Sequence, residues 1–160
     1  MHGHTLFARA IAAAVLFLVA VGVVAALVTY SLSKTTPLQN TVGLSRISVA
    51  GVPVYVTIAD TTDAQEKGLS GTASLPANEG MLFVFDRDDY YHMWMKDMRY
   101  SLDMLWISEE GVIVHIEKNV SPDTYPQSFT SEDPARNVLE LPAGFADHHD
   151  VKVGDRVAIY

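Results

Sequence analysis

Gly80-Met81-Leu82-Phe83-Val84-Phe85 is an unbroken apolar run with no helical spacing of polar residues. A run this short, rich in β-formers and ended by the acidic cluster Asp86, Arg87, Asp88 and Asp89, reads as a strand buried on both faces. The cluster itself reads as a loop. Upstream, Ile47 and Val49 alternate with small or polar neighbours, and Val54, Val56 and Ile58 alternate again after Gly51. Period two is the signature of half-buried strands, and the intervening glycine points to a hairpin. Thr61 or Thr62 is placed to cap a short helix, with Asp63 and Glu66 in its early turns and Gly71 near its end.

Downstream, His92 to Lys96 and Leu102 to Ile107 read as strands around a turn. Val112 to Glu117 follows the Gly111 turn. The proline-rich segment 121–134 reads as an ordered loop. Val138 to Leu141 is a strand broken by Pro142 and Gly144, a short helix spans Phe145 to His149, and Arg156 to Ile159 closes the chain. The expected fold class is α+β, mostly β: a compact barrel-like or sandwich domain of about eight short strands with one or two short helices, preceded by a transmembrane helix.

That last expectation rests on the N-terminal third. Between Ala10 and Ser33 there is no charged residue, and Ala10 to Val28 is almost wholly Ala, Val, Leu, Ile and Phe. About 20 such residues at 1.5 Å rise span the roughly 30 Å hydrocarbon core. The organisation expected is a tail over 1–9, a transmembrane helix or uncleaved signal anchor over 10–30, a flexible linker over 31–45, and a domain over 46–160. Ser31-Leu32-Ser33 offers a cleavage site, so a removed signal peptide and secretion is the alternative. The expected location is the cell membrane, single-pass, with the C-terminal domain outside, periplasmic or extracellular.

Charge and composition narrow the function classes. No acid precedes Asp60, and only Arg9, Lys34 and Arg46 among the 11 bases do, so the rest of the chain sets all 19 acids against eight bases. Such a field repels phosphate backbones and excludes nucleic acid as a natural partner. The chain has no cysteine, which removes disulfides, thiolate metal sites and cysteine nucleophiles. No Walker loop, dinucleotide fingerprint, His-Glu-x-x-His or nucleophile elbow occurs.

Two residue groups carry chemistry. Asp103 lies between Leu102 and Met104, and Glu140 between Leu139 and Leu141. A carboxylate facing a core must be paired or protonated. With Lys96 and Trp94 these form a candidate cleft for a polar ligand or for acid–base chemistry; the bland alternative is a structural salt bridge. The second group is His92, Met93 and Met95, whose imidazole and thioethers suit Cu(I). Methionine is also an ordinary core filler. No cofactor is expected apart from that copper alternative.

Four blocks together suggest a family: Lys67-Gly68-Leu69; Gly80 to Phe85; Trp94-Met95-Lys96-Asp97 with Leu102-Asp103-Met104; and Val138-Leu139-Glu140-Leu141-Pro142-Ala143-Gly144 with Gly154-Asp155. In this order the chain resembles domain-of-unknown-function family 192, a set of small prokaryotic domains. Ser70, Gly71 and Thr72 stand where the family pattern carries a Met and then a basic residue. The resemblance implies a fold of this size and frequent export, and no established activity. The function expected is therefore a membrane-anchored extracytoplasmic module that binds an unidentified small ligand or protein without catalysis. The alternatives are an enzyme using a Lys/Asp/Glu cleft and a copper-binding protein.

Overall fold

A computed structural model describes residues 43–160. The tail expected over 1–9, the transmembrane helix or signal anchor expected over 10–30 and nearly all of the linker expected over 31–45 lie outside the described residues. No helix among the described residues is long and apolar enough to cross a membrane.

Nine strands and two short α-helices form the domain. β1 (Ser45–Val49) and β2 (Val52–Ala59) make the hairpin expected from their alternation, in register from Ser45↔Val56 to Val49↔Val52. Its two-residue loop, Ala50-Gly51, takes positive φ at both positions (50° and 86°), the geometry of a turn that matches strand twist. α1 (Thr62–Lys67) follows, with the Thr61 side chain accepting the Ala64 N–H.

α1 is the crossover that lets β3 (Glu79–Asp89) pair parallel to β2, from Tyr55↔Glu79 to Ala59↔Phe83. β3 is longer than its apolar run: Asp86 to Asp89, expected as a loop, continue the strand. The register with β8 (Ala135–Pro142) shifts between Val84 and Asp89, where the pairing resumes as Asp89↔Ala135. Across that irregularity Asp86, Arg87 and Asp88 are exposed, so acidic side chains cost the strand little, and Asp88 ion-pairs with Arg136 of β8.

β5 (Leu102–Ile107) is buried at every position, because both faces of the sheet are covered there. It lies between β8 and β6 (Ile113–Val120), antiparallel to both. The expected strand over His92 to Lys96 shrinks to β4 (Met93–Trp94), paired with β7 (Ser128–Phe129) in a separate two-stranded ladder. α2 (Phe145–His148) and β9 (Val157–Ile159) complete the chain.

The main sheet runs β6-β5-β8-β3-β2-β1-β9. It curls into a half-barrel whose two edges meet at one end, through a Val112↔Arg156 bridge and the bond from the Val157 N–H to the Gly111 carbonyl, 2.8 Å. Curling gives two separate cores. The inner one gathers Ile47, Val54, Leu82, Leu105, Leu139 and Val157 with Phe145 and Ala146 of α2. The outer one gathers Phe83, Leu102, Met104, Trp106 and Val138 under Leu69, Met93 and Met95.

Candidate functional site

The candidate site lies against the outer core. Strand register places Glu140 of β8 directly between Met81 of β3 and Met104 of β5. The residue is 4% exposed. Its Oε2 has no hydrogen-bond partner, and no ion pair among the described residues includes it. Burial alone pushes its pKa up to about 8. A charged carboxylate in apolar surroundings loses its hydration without compensation, so the proton is retained. At neutral pH the group is mainly a neutral acid with an O–H to donate.

Glu140 is at the base of a cleft of about 400 Å³, counting its open mouth. One wall is the end of α1 and the chain that follows, from Gln65 to Ser70. Gly68 ends the helix at φ +48°, and a Cβ there would meet the Phe83 ring at 3.3 Å. Gln65 holds the helix to the sheet, its Nε2 donating to the Val84 carbonyl at 2.8 Å. The other wall is His92, Met93 and Trp94, with Met98. The two walls are tied beyond the cleft: Ser70 Oγ donates to the Lys96 carbonyl at 2.9 Å, and the Gly71 N–H to the Asp97 carbonyl at 2.9 Å.

The structure divides the residues singled out in the sequence. Glu140 and Trp94 both line the cleft, Trp94 with half of its surface open to solvent. Lys96 is exposed and is not part of the lining. Asp103 pairs with Leu141 rather than with Glu140, so it points to the opposite face of the sheet. There it is fully buried, and its oxygens accept the N–H groups of Asn119 (2.8 Å), Gly144 (3.2 Å) and Ala146 (2.8 Å). Its position is that of a brace between β6 and the start of α2. Lys96, Asp103 and Glu140 therefore do not share one pocket. Of the soft-metal group, exposed His92 and buried Met93 border the cleft, whereas Met95 is 1% exposed in the outer core and does not.

Sequence reasoning missed the α1 wall, Glu66 and Lys67 included. The only signal was the Lys67-Gly68-Leu69 block, since wall and floor are brought together by the parallel β2–β3 pairing, which leaves no local pattern.

Fold and site together define a small, mostly-β domain in which a buried, unpaired carboxyl lines a cleft. The chain belongs to the DUF192 family (Uncharacterized ACR), whose profile matches residues 45–159. It is similar to a solved structure from Sinorhizobium meliloti 1021, a protein provisionally named a transcription regulator. The two are 32% identical over 71% of this chain and 90% of that one, with a TM-score of 0.65. A Novosphingobium aromaticivorans protein of unknown function is 25% identical, over 71% of this chain and 82% of its own, with a TM-score of 0.64. No curated protein matches.

Proposed function

We propose that this chain is a membrane-tethered binding module, held outside the cytoplasm, that takes a small polar ligand in the cleft between Trp94 and Glu140. The observation that carries the reading is the carboxyl of Glu140, buried and without a partner in the lining of an open cleft. An unsatisfied buried polar group costs about 1–3 kcal/mol, and a ligand that bonds to it recovers that loss. Trp94, half open to solvent in the same cleft, adds a flat apolar surface. The tether rests on the sequence: an apolar stretch of membrane-spanning length followed by a polar linker.

Native mass spectrometry of the chain purified from its own membranes tests both parts. A small molecule retained by the wild type and lost from Glu140→Leu supports the reading. The reading fails if the cleft is empty and the Trp94 indole resonance is indifferent to a metabolite extract. The tether fails if unprocessed chain is released from membranes by alkaline carbonate.

A further inference from the structure

Three titratable side chains line the cleft besides Glu140: Glu66, Lys67 and His92. Glu66 and Lys67 carry opposite charges, and none of the three forms an ion pair with Glu140. The strands flanking Glu140 present only Met81 and Met104. The carboxyl thus has no cation of its own.

Two further features favour positive charge in that space. Trp94 offers an accessible indole in the cleft, and an indole face attracts ammonium and guanidinium groups. The described residues also hold all 19 acids of the chain against nine bases, so the field around the domain draws in cations and repels anions.

We infer that the cleft binds a small organic cation, an amine or a guanidine, whose N–H groups donate to the Glu140 carboxylate with the cationic group beside the Trp94 indole. The inference rests on the cleft being a ligand site. Without ligand, burial keeps the proton on Glu140. An entering cation supplies the missing partner, favours the ionised carboxylate and drives that proton into solvent. Binding near neutral pH is therefore coupled to release of close to one proton, and no bond to carbon changes.

The full chain in non-ionic detergent at pH 7 is titrated with n-butylamine and agmatine, and with butyramide and butyrate as neutral and anionic counterparts of butylamine. Calorimetry in buffers of different ionisation heat counts the protons released. The expected result is amine binding with close to one proton released, weakened at least about tenfold and stripped of proton release in Glu140→Gln. Trp94→Ala binds several-fold more weakly and still releases the proton. Amine binding without proton release, or unaffected by Glu140→Gln, overturns the inference. So does butyrate or butyramide binding as tightly as the amines, although the cleft then remains a ligand site. Binding of none of the four overturns both readings.

Discussion

Asp103 Oδ2 accepts the backbone N–H of Ala146 at 2.8 Å, joining residues 43 positions apart. The same carboxylate accepts from Asn119 and Gly144, so one side chain fastens the end of β6 and the start of α2 to the middle of the sheet. Asp103→Ala leaves the buried Ala146 N–H and the part-buried Asn119 and Gly144 N–H groups without this acceptor. An expected loss of about 3 kcal/mol follows, since each orphaned buried donor costs about 1–3 kcal/mol. Urea unfolding measures it. Ligand binding by the folded fraction is expected to be unchanged, because Asp103 is on the face of the sheet away from the cleft.

The role of Asp103 could not be read from its neighbours. A carboxylate between Leu102 and Met104 announces that it is buried with partners, but all three partners are backbone groups of distant residues. Glu140 carries the same signature between Leu139 and Leu141, yet is left unpaired. Strand pattern was legible where one rule dominates: the alternation of Val54, Val56 and Ile58 pointed to β2, and the segment Leu102 to Ile107, apolar but for Asp103, matches β5 to the residue. It failed at Asp86 to Asp89, where pairing with β8 on both sides of an irregularity, at Val84 and again at Asp89, keeps charged residues in a strand. It also over-extended β4, whose Met95 is buried in the outer core yet falls outside the ladder. The order of strands and the curl depend on long-range pairing and had no local trace.

Gly80 shows how closely the backbones flanking the site approach. A Cβ on it would lie 2.6 Å from the Glu140 carbonyl oxygen and 2.9 Å from Leu141 Cδ2. Backbone on one side and a packed core leucine on the other leave little room to yield. Gly80→Ala is expected to destabilise the domain by about 1–3 kcal/mol, the usual cost of overpacking. Thermal unfolding by circular dichroism checks this, and an unchanged midpoint contradicts it.

Arg136 is the opposite case. Its guanidinium meets Asp88 at 2.8 Å and Glu109 at 3.1 Å, but both acids are largely solvent-exposed. Exposed pairs gain little over hydration and are screened by salt. Arg136→Gln is expected to lower stability by no more than about 1 kcal/mol. The difference should shrink further in 1 M sodium chloride, as read by urea unfolding at both salt concentrations.

Glu140 ties the candidate site to stability through pH. Its folded pKa, raised to about 8 by burial, lies above the ordinary 4.5 that the unfolded chain approaches. Between those values the folded state holds a proton that the unfolded state has lost, so raising the pH favours unfolding. The stability linked to this proton is complete below about pH 4.5 and is lost progressively as the pH rises through about 8. The slope is at most about 1.4 kcal/mol per pH unit for one proton. Glu140→Gln cannot titrate, so the variant should gain on the wild type steadily from pH 5 to 8 and hold a constant offset above that. Urea midpoints across this range are the measurement. Parallel curves for the two proteins would mean that the carboxyl keeps an ordinary affinity for its proton, and the account of the cleft as an unpaired acid awaiting a partner would fail with it.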